Sequence, residues 1–506
     1  MKLYNTMARR KVDFIPIEEG KVGLYICGPT VYNHIHIGNA RTFLSFDVIR
    51  RYLVWRGFEV TYVQNITDVD DKIINRANEE GRTPAEVAAE YTKTFIDAMR
   101  SLGVDDPTIR PKATEEIPAM IDLITRLIDS GHAYEVEGDV YFSVRSFPEY
   151  GKLSGRDVDS MLSGARVEVD TRKRDPLDFA LWKAAKPGEP FWSSPWGQGR
   201  PGWHIECSAM SARYLGNPFD IHAGGDDLCF PHHENEIAQS EAGFDTVFAN
   251  YWLHGGMLTI DKEKMSKSEG NFLLLKDVLE HVRPAALRLL MLQSHYRSPL
   301  DYSAERLDEA QAALERIEGA VRNMYWAVDS CKATTTTTTA AAAEDSSQPL
   351  SSSLVDSLRK QIATTYEQFV VFMDDDFNTA GAIASIYDLV SAGNVSIAAG
   401  IENAEHADAV RSAADSIVEL IGVLGITLAE GGADTDALPL GLVDLAASLA
   451  SYTGSAAADA LETLLVARAS SRAAKDWATA DAIRKGLGAL GITVEDTAQG
   501  PRIIRT

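Results

Sequence analysis

The sequence predicts an α/β fold in which a doubly wound parallel sheet carries an inserted segment and is followed by a helical region and a small C-terminal domain. Three observations predict this fold. Two β-branched apolar runs near the N-terminus flank a stretch with helical spacing, a polar stretch rich in proline and glycine follows them, and amphipathic helices dominate the second half. The chain has 506 residues, 45% of them hydrophobic, which is enough to form several domain cores.

The first element is a βαβ unit. Residues 21–27 and 59–66 are apolar and rich in β-branched side chains, and residues 42–55 carry Phe43, Phe46 and Leu53 at helical spacing. This alternation predicts parallel strands in a Rossmann-like sheet. Ligands of such sheets bind beyond the carboxyl ends of the strands, where Cys27 and residues 65–68 are expected to lie.

The later segments follow from changes in composition along the chain. The sheet domain is predicted at 1–110 and 196–294, with strand-like residues resuming at 202–210 and 219–227, and the insertion is predicted at 111–195. Within the insertion we expect a helix at about 117–128 and short strands at about 135–144. The order then continues with a helical region (295–330), a Thr- and Ala-rich tether (331–353), a helical bundle domain (354–460) and a small, locally basic domain (461–506).

Composition excludes several classes of protein. No run approaches the roughly 20 apolar residues of a membrane span, so we expect a cytoplasmic protein without a membrane partner. Four scattered cysteines, Cys27, Cys207, Cys229 and Cys331, suit reduced thiols or metal ligands better than a disulfide framework. A net charge of -24 means that any nucleic acid must meet a local basic surface.

Two separated elements suit phosphate binding. The tetrad at 36–39 reads as a helix N-terminus, where His36 can donate a charged hydrogen bond, Asn39 a neutral one, and Gly38 admits a close ligand. Lys264 and Lys267 lie far downstream and can neutralise charge on a departing phosphate. Taken singly, the tetrad is more often a helix cap and the lysines a solvated loop. Together, and in this order, they predict a nucleotide site.

Glycine-rich patterns do not offer an alternative nucleotide site. No P-loop occurs, and residues 197–202 match the letters of the dinucleotide fingerprint without following a strand. Pro201 also stands where the helix of that motif would begin. These glycines are therefore expected to serve a loop.

A second group combines Cys27, Cys207, His232 and Glu236. His232 and Glu236 are four residues apart and share a face if the segment is helical, and thiolate, imidazole and carboxylate together favour zinc. Spacing alone favours buried free cysteines beside an ordinary helical turn, because neither CxxC nor HExxH is present.

Together the motifs closely resemble the cysteinyl-tRNA synthetase family. They are YICGPTVY at 25–32 running into the tetrad, NITD at 65–68, GWHIECSAM at 202–210, FPHHENE at 230–236 and KMSKS at 264–268. The resemblance implies a class I aminoacyl-tRNA synthetase that activates L-cysteine with ATP and Mg²⁺ and transfers it to tRNA(Cys). It also implies one Zn²⁺ held by Cys27, Cys207, His232 and Glu236. The usual tetrad ends in His, and this chain has Asn39.

The resemblance further implies roles for single residues. His36, Asn39, Lys264 and Lys267 would be catalytic, and the nucleotide would contact Gly28, Thr30, His36, Gly38, Asn39 and Lys267. Trp203 would wall the amino-acid pocket, while Thr67 and Asp227 would orient the amino group. Zinc coordination would separate cysteine from the isosteric serine, which packing alone discriminates poorly.

Two rival functions remain open from the sequence. One is the related ligase that joins cysteine to an amino sugar in mycothiol synthesis, and the other is a non-catalytic, zinc-bearing RNA-binding paralogue. The helical domain and the basic C-terminus favour a tRNA substrate, with residues 295–326 at the acceptor stem and the later segments at the anticodon. A monomer is expected.

Overall fold

The computed structural model describes residues 1–158, 171–260, 263–264, 273–335, 350–429, 438–439, 441–497 and 500–505. They form two compact units. The first comprises Met1–Leu314, Thr365–Ile386 and Glu419–Thr427, and the second comprises Glu315–Thr364, Tyr387–Val418 and Leu428–Thr506. Each unit is thus assembled from separated stretches of chain.

Strands and helices are numbered here in chain order. The strands are β1 (Lys2–Asn5), β2 (Arg10–Asp13), β3 (Lys21–Ile26), β4 (Glu59–Gln64), β5 (Ala133–Val136), β6 (Asp139–Phe142), β7 (Phe179–Ala184), β8 (Trp192–Ser194), β9 (Gly197–Pro201), β10 (Phe219–Gly225), β11 (Ala249–Gly255), β12 (Leu258–Ile260), β13 (Glu263–Lys264), β14 (Leu300–Tyr302), β15 (Ile492–Thr497) and β16 (Gly500–Arg505). The helices are α1 (Ile37–Trp55), α2 (Asp71–Glu80), α3 (Pro84–Ser101), α4 (Ile117–Asp129), α5 (Trp203–Leu215), α6 (Glu234–Phe244), α7 (Leu275–Leu279), α8 (Pro284–Leu292), α9 (Ala304–Thr335), α10 (Leu350–Asp374), α11 (Thr379–Ala398), α12 (Ala404–Val423), α13 (Gly441–Ala450), α14 (Ala457–Ala473) and α15 (Trp477–Ala489).

The first unit contains a four-stranded parallel sheet in the order β11-β10-β3-β4. The predicted βαβ unit is confirmed as β3, α1 and β4, and α1 begins earlier than expected, directly after His36. The next strand in the sequence, β4, lies on one side of β3, and the distant β10 lies on the other. The connection that leaves β3 therefore runs to one side of the sheet and the connection that leaves β10 runs to the other. Parallel sheets bind ligands at the point between two such strands.

The predicted insertion forms a five-stranded antiparallel sheet in the order β5-β6-β7-β9-β8. It is preceded by α4, as the sequence predicted, and its strands extend to Pro201. Leu123 of α4 and Trp182 of β7 belong to the same buried cluster as Tyr25 of the parallel sheet. The insertion is therefore packed into the core of the first unit.

The strand-like prediction for residues 202–210 is wrong, because this segment lies in α5. Residues Ile205 through Ser211 are all buried, so no polar face marks the helical period in the sequence. The prediction for 219–227 is confirmed by β10. The glycines at 197–202 lie in and beside β9 rather than in a loop, and a Cβ at Gly199 would lie 2.5 Å from the Lys183 carbonyl oxygen.

After the parallel sheet, β12 pairs in parallel with β14 and antiparallel with β13. Helix α8 begins at Pro284, and proline suits the first turn of a helix. Its Arg288 is buried and donates to the Asp47 carboxylate of α1 at 2.5 Å. This ion pair fixes α8 against the helix that begins at the tetrad.

The predicted helices of the C-terminal half are confirmed by α10 to α15, and the described chain ends in the β15-β16 hairpin. Leu442, Leu464, Ile483 and Ile492 belong to a separate buried cluster at the end of the second unit. Among the described helices, none is long and apolar enough to cross a membrane.

Candidate active site and metal centre

A pocket of about 300 Å³ opens at the carboxyl ends of β3 and β10. Its wall combines the residues that follow β3, the beginning of α1, the first residue of α5 and the turn after β10. The predicted site residues that line it are Cys27, Gly28, Thr30, His36, Asn39, Trp203 and Asp227. The pocket therefore lies between β3 and β10 and is lined both by residues of the tetrad at 36–39 and by Cys27 of the candidate metal group.

His36 is the N-cap of α1. Its Nδ1 accepts a hydrogen bond from the Asn39 backbone N–H at 3.2 Å, so the capping role expected of such a tetrad is realised. An Nδ1 that accepts carries no proton, which means that the imidazole donates through Nε2 as a neutral group. The charged hydrogen bond suggested by the sequence would require loss of this cap. The helix N-terminus and its dipole then supply the attraction for phosphate.

The turn after β3 is held against the turn after β4. Gly28 donates from its backbone N–H to Asn65 Oδ1 at 2.7 Å, and a Cβ at Gly28 would lie 1.6 Å from the Asn65 carbonyl oxygen. Only glycine fits this approach. Thr30 pairs with Thr67 in a parallel bridge, and Gly38 lies in the first turn of α1.

The lysine motif is only partly described. Lys264 ends β13, its backbone pairs with Thr259 of β12, and its side chain lies outside the described residues, as does all of Lys267. Beyond this segment, Leu274 forms an antiparallel bridge with His36, and Leu275 donates to the Ile35 carbonyl at 2.9 Å. The chain that follows the motif therefore lies beside the N-terminus of α1.

The four predicted metal ligands converge. Single donor atoms of Cys27, Cys207, His232 and Glu236 all lie within 4.8 Å of one another, and each side chain is at most 5% exposed. His232 Nε2 is 2.9 Å from Glu236 Oε1, which confirms that these two residues share a helical face, and the Cys27 thiol is 3.3 Å from the same oxygen. Two sulfur atoms, a nitrogen and an oxygen suit zinc.

The electrostatics of this cluster favour a cation at its centre. Burial would lower the pKa of His232, but Glu236 and Cys207 raise it to about 10. Burial would raise the pKa of Glu236, yet His222 and His232 hold it well below its usual range. Burial also acts to raise the pKa of Cys207, while hydrogen bonds with Cys27 and His232 lower it to about 6. Anionic groups thus surround the positively charged imidazole of His232, and the same groups would attract a divalent ion.

A second set of donors, Cys27, His222, His233 and Glu236, overlaps the first. His222 Nε2 is 2.7 Å from Glu236 Oε2, so the carboxylate offers one oxygen to each set. The set with His232 adjoins the pocket, because the ring of the pocket residue Trp203 stacks on His232 with centroids 4.3 Å apart. His222 is fully buried and stacks on Trp252. The first set is the one accessible from the pocket, and His222 orients its carboxylate.

The predicted substrate residues occupy different environments. Trp203 is 37% exposed and lines the pocket, as does Asp227. Thr67 is buried: its hydroxyl donates to Glu206 Oε2 at 2.7 Å and accepts from Asn65 Nδ2 at 3.3 Å. Burial raises the pKa of Glu206 well above its usual range. The structure thus brings Trp203 and Asp227 to the pocket and places Thr67 behind its wall.

Sequence reasoning missed His222 and Glu206. A carboxylate between Ile205 and Cys207, inside a motif with a candidate metal ligand, was a usable signal for Glu206. No comparable signal marked His222, which stands in a buried strand fourteen residues from the carboxylate that it contacts.

Three family models match successive segments of the chain. A sequence model of the class I (C) tRNA synthetase catalytic domain matches residues 13–312. A DALR domain model matches 368–429, and a cysteinyl-tRNA ligase anticodon binding domain model matches 455–501.

Similarity to curated relatives extends over nearly the full length. The cysteine–tRNA ligase of Desulforamulus reducens is 48% identical over 513 residues, with 99% of each chain covered. The chain belongs to the cysteinyl-tRNA synthetase family. The cysteine–tRNA ligase of Carboxydothermus hydrogenoformans is 47% identical over 503 residues with the same coverage. Membership in this family makes the chain a class I aminoacyl-tRNA synthetase, as the motifs predicted.

Solved structures confirm the fold class. The methionyl-tRNA synthetase of Mycobacterium tuberculosis has a TM-score of 0.57 at 14% identity and covers 81% of this chain and 92% of its own. A LeuRS of Agrobacterium radiobacter has a TM-score of 0.57 at 12% identity, covering 82% of this chain and 85% of its own. Neither the amino-sugar ligase nor the non-catalytic paralogue is favoured, because relatives named as cysteine–tRNA ligases match end to end and the anticodon domain model matches the basic C-terminus.

Proposed function

We propose that this synthetase activates L-cysteine with ATP, passes the cysteinyl group to tRNA(Cys), and selects cysteine through a zinc-bound thiolate. The supporting observation is that Cys27, Cys207, His232 and Glu236 converge beneath a pocket whose rim is the N-terminus of α1. A thiolate-selecting group and a phosphate-binding group are then separated by no more than one small pocket. An amino acid whose sulfur is bound at the metal must reach the α-phosphate of ATP with its carboxylate across this pocket.

The donor set fits zinc, which would supply a Lewis acid that holds the substrate sulfur as a thiolate. Cys27, Cys207, His232 and Glu236 would be its ligands, and His222 would fix the carboxylate orientation. The alcohol of serine is a harder and far less acidic donor, so serine would lose this interaction while keeping nearly the same size. Selection would therefore depend on sulfur chemistry rather than on volume.

The remaining pocket residues would bind and orient the reactants. Trp203 covers the metal side of the pocket, and the Asp227 carboxylate can attract the ammonium group of the amino acid. Thr67 does not line the pocket and its hydroxyl bonds to Glu206 and Asn65, so its role in orienting the ammonium group stays a prediction.

The nucleotide would lie between α1 and the lysine segment. Gly28, Thr30, Gly38 and Asn39 would contact it, His36 would donate from Nε2 to phosphate, and Lys264 and Lys267 would stabilise charge on the departing pyrophosphate. Magnesium would be bound mainly by the phosphates of ATP. Catalysis would then depend on positioning and electrostatics, as in other phosphoryl-group displacements.

Transfer would use the C-terminal half. Residues 295–330 would contact the acceptor stem, and the helical and basic segments at 354–460 and 461–506 would reach the anticodon. We propose a monomer that works in the cytoplasm. The match of the anticodon domain model to 455–501 supports the assignment of the last segment.

The decisive experiment is ATP/pyrophosphate exchange with the zinc-loaded protein, comparing cysteine with serine, followed by transfer to tRNA(Cys). We expect exchange with cysteine and a rate at least about 10³-fold lower with serine, since loss of a metal–thiolate bond exceeds any packing difference. Exchange that is equal for both amino acids, or absent with cysteine, would contradict the proposal.

The role of Lys267 can be tested separately. The Lys267→Ala variant is expected to lower the rate of activation by about 10² while the KM for cysteine stays within about twofold, because the charge is needed only as pyrophosphate leaves. Exchange kinetics over a range of cysteine concentrations measure both values. Lys93→Ala is a suitable control, since Lys93 is 79% exposed on α3. An unchanged rate would discard this role.

A further inference from the structure

A buried arginine one turn into α1 makes an unusual set of contacts. Arg41 is 1% exposed, and its guanidinium donates to the backbone carbonyls of Gly256 and Met257, both at 2.9 Å, and of His295 and Ser298, at 3.2 and 2.6 Å. Among the described residues, no carboxylate forms an ion pair with it. Burial lowers the pKa of Arg41 to about 10, so the group stays charged at neutral pH.

The carbonyls that Arg41 holds come from two loops of the first unit. Gly256 and Met257 join β11 to β12, and His295 and Ser298 lie between α8 and β14. The loops are also joined directly, because the Gly256 N–H donates to the Tyr296 carbonyl at 2.8 Å. The guanidinium is a planar fork with five N–H donors, which allows one side chain to hold both loops against α1.

These loops lie at the nucleotide side of the pocket. Gly255, at the end of β11, approaches Thr42 of α1, and Thr42 lines the pocket. Beyond Met257, β12 pairs with β13, which ends at Lys264. The segment that enters the lysine motif is therefore fixed to the same helix whose N-cap is His36.

We propose that Arg41 is a positioning residue for ATP: it sets the distance between the phosphate-binding N-terminus of α1 and the strand that leads into the lysine motif. The inference rests on the proposed function, since it assigns a role within cysteine activation. The four carbonyl oxygens are uncharged acceptors, so they do not require a positive charge on their partner. They do require several N–H donors, and the planar arrangement of these donors in a guanidinium resists displacement of either loop. Displacement of reacting groups by about 1 Å costs on the order of 10² in rate.

The test compares Arg41→Lys with the matched control Arg288→Lys. A lysine amine at position 41 has three N–H donors on one nitrogen, so it cannot satisfy all four carbonyls that the guanidinium holds. Arg288 is an equally buried arginine that contacts Asp47 and the carbonyls of Gly103 and Leu424 and does not line the pocket. ATP/pyrophosphate exchange would be measured while ATP and cysteine are varied in turn, with bound zinc and thermal stability measured on the same samples.

We expect Arg41→Lys to lower kcat/KM for ATP by about 30- to 100-fold, with the KM for cysteine and the zinc content within twofold of the unmodified protein. Arg288→Lys is expected to lower thermal stability without this selective loss. A KM for cysteine that rises as much as the KM for ATP, a loss that parallels the fall in stability as in the control, or unchanged kinetics would each overturn the proposal.

A second variant displaces the same backbone with Arg41 intact. A Cβ at Gly256 would lie 2.5 Å from the carbonyl oxygens of Arg297 and Ser298, so Gly256→Ala must separate the two loops. It is expected to reproduce the selective loss for ATP, and a loss centred on cysteine would count against the proposal. Absence of cysteine-dependent exchange in the unmodified protein would instead refute the proposed function itself, so the two failures are distinguishable.

Discussion

Cys207→Ser is expected to lower zinc affinity by at least about a hundred-fold and to reduce cysteine activation in proportion. The hydroxyl of serine is a poor zinc donor, so the ion would keep only Cys27, His232 and Glu236 as effective protein ligands. Elemental analysis after dialysis against a weak chelator measures the bound metal, and ATP/pyrophosphate exchange measures activation. The residual exchange should discriminate less sharply between cysteine and serine.

Cys229→Ser provides the control for this prediction. Cys229 is half-buried and is not part of either donor set among the described residues. Its replacement is expected to leave zinc content and exchange unchanged. If the Cys207→Ser protein kept its full zinc content, the ligand assignment would be wrong, whichever way the activity changed.

The metal ligands were accessible to sequence reasoning for a physical reason. His232 and Glu236 lie in a motif whose composition is unusual for a core, since a buried imidazole or carboxylate requires a partner, whereas the thiol of Cys207 does not. Spacing alone did not join them, because Cys27 stands at the end of a strand and Glu236 on a helix 209 residues later. The family resemblance supplied this connection, and the fold then brought the four side chains together.

Other parts of the site were not predictable in this way. The partners of Arg41 are backbone carbonyls, which any residue provides, so no sequence pattern marks them. His222 is recognisable only once β10 lies beside β3. The composition of the two compact units also depends on contacts between distant stretches, such as Arg288 of α8 with the Leu424 carbonyl. Local pattern predicts elements well, but non-local polar contacts appear only in the folded chain.

The arrangement of the second unit leads to the prediction with the largest expected effect on transfer. The last buried cluster and the apolar side chains packed on it all lie between residues 438 and 494. Removal of residues 441–506 would therefore delete a core of its own rather than open the first unit, which carries the pocket. We expect exchange with cysteine to stay within about twofold, because every described residue of the pocket is retained.

Charging of tRNA(Cys) by this truncated protein is expected to fall by at least about a hundred-fold in kcat/KM, equivalent to about 2.8 kcal/mol of lost transition-state binding. The segment matched by the anticodon domain model, 455–501, would be absent, together with Arg472, Lys475, Arg484 and Lys485. An RNA minihelix that carries only the acceptor stem is the matched substrate, and both proteins should charge it equally because it lacks the anticodon that the missing segment is proposed to bind. Charging of full-length tRNA at the normal rate would exclude an anticodon role for this segment, whereas loss of exchange would show that the pocket depends on it.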